Sequence, residues 1–165
     1  MLIRKSQQGD LESILKICAV SRQFMRENGN PDQWGDDHPG AEFIEDSLKA
    51  QESYVVLEGS EIVGTFIFHA TAQAGAYDTI EGAWLNDEPF MVISTLATGC
   101  ARAGVGQCIL DWCFEKAGNI RIDTHEDNVP MRRLLQKNGY IYCGKVWYEI
   151  REDRRERLAF QKSSR

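Results

Sequence analysis

The sequence is poor in several of the signals that commonly announce a function. Its three histidines, His38, His69 and His125, are scattered and offer no zinc spacing, so no metal is expected. Five cysteines (Cys18, Cys100, Cys108, Cys113 and Cys143) make an odd set without a CxxC pair. That pattern excludes a disulfide framework and fits buried free thiols in a reducing compartment. Nowhere do about 20 apolar residues run together, which excludes an evident membrane span. The opening "MLIRKSQQGDLESIL" lacks a signal-peptide core, so a cytoplasmic location is expected. Basic residues are in the minority: 19 Lys and Arg face 25 Asp and Glu, for a net charge of −6. That balance argues against nucleic-acid binding, which calls for a basic face. It is compatible with a cationic small molecule as partner, and equally with plain solubility.

What is present is patterned. The 165 residues, 42% of them hydrophobic, suit a single domain spanning 1–165 with a substantial core. No repeat, low-complexity tract or long linker interrupts them. "LIRKS" reads as a first strand. In "GDLESILKICAVSRQFMREN", Leu11, Ile14, Leu15, Cys18 and Met25 share a helical stripe, with Asp10 as N-cap and Gly29 closing it. "NPDQWGDDHPG" is a loop that carries an isolated Trp34, and "AEFIEDSLKAQ" is a second helix. "SYVVLEGSEIVGTFIFHAT" is a hairpin around "EGSE". The stretch 73–87, including "IEGAWLND", is ambiguous and crosses from one strand to the next. "PFMVISTLAT" is the fourth strand and a helix follows over 106–117, ended by Gly118. "IRIDTH" is a strand, and Asn128 caps the helix "VPMRRLLQKN", with Pro130 in its first turn. "YIYCGKVWYEI" and "RERLAFQK" form a last hairpin around "REDRR".

The expected order is therefore β-α-α-β-β-β-α-β-α-β-β. It describes a mixed α/β (α+β) domain with one mostly antiparallel sheet and helices on both faces. The strands flanking the helix at 106–117 should be parallel, because a crossover helix joins them.

One stretch invites chemistry. In "CARAGVGQCILDWCFEKAG", Gly104 and Gly106 precede an apolar helix. Small residues at a strand end let backbone N–H groups approach an anion, and the helix N-terminus adds about half a positive charge. The same glycines also suit a helix that is simply packed closely, and the stretch alone leaves both open. A P-loop is excluded because no Lys follows Gly106. The dinucleotide fingerprint lacks its third glycine and its early parallel unit.

The element order, "AGVG" and "IRIDTHEDNVPMRRLLQKNGY" together resemble the GCN5-related N-acetyltransferases (GNAT). "NGNPDQWG", "IEGAWLNDEPF" and "DTHEDN" further resemble a bacterial subgroup of unassigned acetyltransferases. The resemblance implies acetyl-CoA as co-substrate. Its pyrophosphate would lie on the backbone of Arg102, Ala103, Gly104, Val105, Gly106 and Gln107. Leu96, Ala97 and Thr98 would pair with the pantetheine arm, and Asn128 and Met131 would flank it. Two positions depart from the family: Ala101 stands where an Arg or Gln is usual, and Leu135 where a Tyr commonly acts as general acid. Arg102 or Arg132 would have to compensate for Ala101, and a thiol with pKa near about 8.5 can leave as thiolate without a Tyr.

The resemblance also implies direct attack by an amine, with a backbone N–H near Leu96 and Ala97 holding the oxyanion and a base receiving the amine's proton. Glu81 is the first candidate base and His125 the second, although a surface carboxylate and a satisfied polar residue explain them as well. Gln33, Trp34, Glu81 and Trp84 are expected to border the acceptor pocket. Asp36, Asp37, Asp78, Glu81, Asp87 and Glu88 fall in the two segments framing it and hint at a small cationic amine. A homodimer is an allowed state of such a domain. A non-catalytic acyl-CoA-binding module on the same fold is the alternative.

Overall fold

A computed structural model describes residues 1–164 apart from 72–74, 100–101 and 151–152. Cys100, Ala101 and part of the "REDRR" turn therefore lie outside the described residues.

Each element follows from its local pattern. Strand β1 (Leu2–Lys5) leads through a short 3₁₀ turn (Gln8–Asp10) into α1 (Leu11–Glu27). Ile14, Ile17, Cys18 and Ser21 form the buried stripe of α1, at spacings of three and four. Asp10 does not cap α1, contrary to expectation. Its carboxylate accepts the Gln7 N–H at 2.7 Å and the Arg4 guanidinium at 2.7 and 3.1 Å, so it closes the 3₁₀ turn. Helix α2 (Ala41–Lys49) follows the loop at 28–40, and β2 (Ser53–Glu58) and β3 (Glu61–His69) form the expected hairpin. The ambiguous stretch contains a two-residue strand, β4 (Glu81–Gly82), which the expected order lacks. Then come β5 (Met91–Thr98), α3 (Val105–Ala117), β6 (Asn119–Thr124), α4 (Val129–Lys137), β7 (Ile141–Ile150) and β8 (Asp153–Ser163). No helix among the described residues is long and apolar enough to cross a membrane.

Among the described residues the strands form one eight-stranded sheet in the order β1-β2-β3-β5-β6-β8-β7-β4. Every pairing is antiparallel except β5 with β6, the pair joined by α3. Strand β8 lies between β6 and β7, so the last hairpin enters the sheet by its second strand. The period of two in β2 sends neighbouring residues to opposite faces. Val56 joins the larger core, beneath α3 and α4, with Phe66, Ile109 and Leu135. Val55 joins the core beneath α1 and α2, with Ile14, Ile44 and Ala97. The rest of that second face is covered by the segment before β5: Tyr77, Trp84 and Phe90 pack there with Val92 and Val146.

Candidate functional site

Strands β5 and β6 are paired only at their starts, Met91 opposite Ile120 and Val92 opposite Arg121. Beyond that the two part. The cause lies in β5, where Thr95 and Leu96 together oppose the single Phe66 of β3. This is a β-bulge, which leaves one residue out of the ladder and bends its strand. Thr95 takes φ +50°, a strained value for a β-branched residue. A cavity of about 520 Å³ fills the opened wedge. Ser94, Thr95 and Leu96 line one wall, and Ile122, Asp123 and Thr124 the other.

One end of the cavity meets the first turn of α3. Gly104 precedes the helix with φ +85°, a left-handed conformation suited to glycine, and a Cβ there would make only an ordinary contact, 3.9 Å from Met1 Cε. Gly106 is needed for a different reason: a Cβ on it would stand 2.8 Å from Leu134 Cδ2 of α4. The two glycines thus serve as backbone bend and as close helix contact. No side chain caps α3, and its first turn carries no acidic residue. Cys108 is the first N–H to reach a helix carbonyl, Gly104 O at 3.0 Å, which leaves the preceding amides for an anion. Arg102 lines this end but is engaged by Glu58. Arg132, the other candidate to compensate for Ala101, donates to Glu126 O at 2.9 Å and does not line the cavity. Lys137 at the end of α4 does line it. The Gln107 side chain is committed to Asp111 and Asn138.

The other end is closed by the loop at 28–40. Gln33 Oε1 accepts from Asn30 Nδ2 (3.0 Å), Thr124 Oγ1 (3.3 Å), the His125 N–H (3.3 Å) and Asn128 Nδ2 (3.0 Å). Arg157 Nη2 donates to Gln33 O at 2.9 Å. Gln33 is therefore the pin that fastens this loop to the end of β6 and the start of α4. Asn128 caps α4 as expected, accepting from the Met131 N–H at 3.3 Å, so its side chain is held from both sides. Trp34 lines the cavity yet belongs to the core beneath α1 and is only 8% exposed.

On the far wall Asp123 Oδ2 accepts from the hydroxyls of Tyr77 and Tyr148, each at 2.6 Å. Burial pushes its carboxyl above the ordinary carboxylate range, against the pull of the two tyrosines and, more weakly, of Arg157 and His69. His69 Nε2 shares a hydrogen with Ser94 Oγ at 3.0 Å, across the paired strands β3 and β5, and its pKa is lowered, mainly by burial.

Several expected site residues lie elsewhere. Glu81 is exposed on β4, at the outer edge of the sheet opposite Lys145, and does not line the cavity. Trp84 stacks over the Arg121 guanidinium at 4.2 Å and packs on Tyr77, also outside the cavity. His125 faces a second, smaller cavity of about 300 Å³, with Asp32, Glu156 and Arg157, and its Nδ1 accepts the Asp127 N–H at 3.0 Å. Leu135 is fully buried in the core, and Ala97 points to the α1 side. The Thr98 N–H and carbonyl are both taken by Ser21 Oγ, at 3.1 and 3.0 Å. Ala103 is exposed and outside the cavity, while Leu96, Thr98, Gly104, Val105, Gly106, Asn128 and Met131 all reach it, Val105 although it is largely buried. Asp36, Asp37, Asp78, Asp87 and Glu88 line neither cavity, and Asp36 pairs with Arg26.

The fold that carries this wedge recurs in solved structures. An acetyltransferase of the GNAT family from Streptococcus agalactiae superposes with a TM-score of 0.86 at 27% identity, over 99% of this chain and 95% of that one. The chain belongs to the GCN5-related N-acetyltransferase superfamily. A second GNAT-family acetyltransferase, from Listeria monocytogenes, has a TM-score of 0.70 at 18% identity, covering 98% of this chain and 93% of its own. The GNAT fold also recurs in a Salmonella typhimurium protein solved with its cofactor acetyl-CoA: TM-score 0.66, 12% identity, 98% and 92% covered. A scan against protein-family models and a search of curated proteins both find no match.

Proposed function

We propose that this GNAT-superfamily chain is an acetyl-CoA-dependent N-acetyltransferase acting on a small primary amine. The observation that supports it most is the wedge between β5 and β6, which opens onto the uncapped first turn of α3. The residues present fit a ligand with a diphosphate at one end and a thin arm behind it. The cavity volume suits a small-molecule site. At the α3 end, the leading helix amides and Lys137 supply positive potential.

Acetyl-CoA supplies the acetyl group as a thioester. The leading amides of α3 hold the pyrophosphate, and Leu96 on the bulged strand offers backbone to the arm, because the Thr98 backbone is engaged by Ser21. The bulge takes Thr95 and Leu96 out of regular pairing with β3 at the cavity wall, and a backbone N–H released there would hold the acyl oxygen as it gains charge. The thiol needs no tyrosine at position 135, since a group with pKa near about 8.5 leaves as thiolate.

The test is thiol release from acetyl-CoA with a panel of small primary amines. Amine-dependent release with N-acetyl product by mass spectrometry supports the reading. Tight acetyl-CoA binding with no release for any acceptor overturns it in favour of a non-catalytic acyl-CoA-binding module.

A further inference from the structure

We propose that Asp123 binds the acceptor as its ammonium ion and takes the first proton from it, an inference that rests on the N-acetyltransferase reading. Asp123 stands on the part of β6 that has left β5, and it lines the wedge. Both tyrosine hydroxyls bond to one oxygen, Oδ2, and hold the carboxylate in one orientation. Among the described residues Oδ1 receives no hydrogen bond from the protein, and no cationic side chain stands within ion-pair distance. Arg157, the nearest basic group on β8, spends its guanidinium on the carbonyls of Gln33 and Glu156. His69 on β3 is turned to Ser94. A half-buried carboxylate without a close counter-charge bears part of the cost of desolvation. A cation entering the wedge would offset that cost and meet a lining carboxylate with one oxygen unclaimed by the tyrosines.

The groups facing Asp123 are Tyr77 from the segment before β4, Tyr148 from β7, Arg157 from β8 and His69 from β3. Only one of them, Arg157, carries a fixed charge. In transfer the ammonium gives one proton to Asp123, which passes it to solvent. The freed nitrogen lone pair forms the C–N bond to the acetyl carbon. The C–S bond breaks with its electrons on sulfur, and the sulfur takes the second nitrogen proton as CoA thiol.

The experiment compares wild type with Asp123→Asn, which keeps an acceptor for both tyrosines. In the presence of CoA, small primary amines and their isosteric alcohols are titrated by ligand-observed NMR. The proposal expects at least one amine to bind wild type ten-fold or more tighter than its alcohol, and that preference to vanish in D123N while CoA affinity is unchanged. Acetyl transfer should fall at least 100-fold in D123N, and the acidic limb of its pH profile should disappear. No amine preference in wild type, or a preference that survives in D123N, overturns the proposal. Acetyl transfer that persists in D123N with an unaltered pH profile does so too, while leaving the N-acetyltransferase reading intact. An Asp123-dependent amine preference without transfer in wild type supports the site and defeats that reading.

Discussion

Gly106→Ala isolates what the second glycine of the loop does. The added methyl would stand 2.8 Å from Leu134 Cδ2. Carbon atoms in good contact sit about 3.5–4.0 Å apart, so α3 and α4 must separate by about an ångström or Leu134 must leave its rotamer. Overpacking of this kind costs about 1–3 kcal/mol. Alanine's better helix propensity returns up to about 1 kcal/mol, less in a first turn. The net expectation is a loss of about 1 kcal/mol, or about 2–4 °C in Tm for a chain of this size. In a Leu134→Ala background the obstacle is gone, and Gly106→Ala should become neutral or stabilising. Urea denaturation of the four proteins measures the coupling, expected at about 1–2 kcal/mol. Additivity within about 0.5 kcal/mol would refute the reasoning, because independent sites add to that precision.

Four further substitutions test the same geometry. Gly104→Glu puts a carboxylate at the α3 entrance, and with a charge pair worth about 1 kcal/mol in water and about 4 near a protein surface, CoA affinity by calorimetry should fall at least ten-fold. Gly104→Ala, whose Cβ would clash with nothing and only touch Met1 Cε at 3.9 Å, should cost about 1 kcal/mol of backbone strain and weaken CoA less. Gln33→Ala strips the acceptor shared by Asn30, Thr124, His125 and Asn128 and should destabilise by about 1–3 kcal/mol, with faster amide exchange in residues 30–40 than elsewhere. Because folding raises the Asp123 pKa, its stabilising contribution is full below the unfolded carboxylate pKa and is lost as pH rises through the folded value. Asp123→Asn, which imitates the neutral form, should therefore raise Tm at pH 8 and not at pH 3; equal shifts at both would contradict the assignment.

The parts of this molecule that were legible in its sequence are those that local physics encodes. The α1 stripe, the β2–β3 hairpin, the parallel pair flanking α3 and the Asn128 cap all follow from periodicity and turn chemistry. Gly104 and Gly106 were visible too, but not that one serves the backbone and the other Leu134. What was not legible depends on partners far along the chain. Asp123 meets Tyr77 and Tyr148 across 46 and 25 residues, and Gln33 meets Asn128 across 95. A signal for Asp123 did exist: Arg121 and Asp123 alternate with Ile120 and Ile122 on a strand with a neighbour on each side, where charge needs a reason. Glu81 and Trp84 were misplaced because β8 takes the position beside β6, which carries β7 and β4 to the edge. Nothing in the alternation of "YIYCGKVWYEI" or "RERLAFQK" sets which strand of that hairpin pairs inward.

The central claim is that the α3 entrance grips a diphosphate whose arm lies in the β5–β6 wedge. Calorimetric titration with CoA and with pantetheine, which lacks every phosphate, tests it most directly. The account predicts that CoA binds and that pantetheine binds at least 100-fold more weakly, with the difference shrinking in Gly104→Glu. Equal affinity for the two ligands, or no binding of CoA, would contradict it.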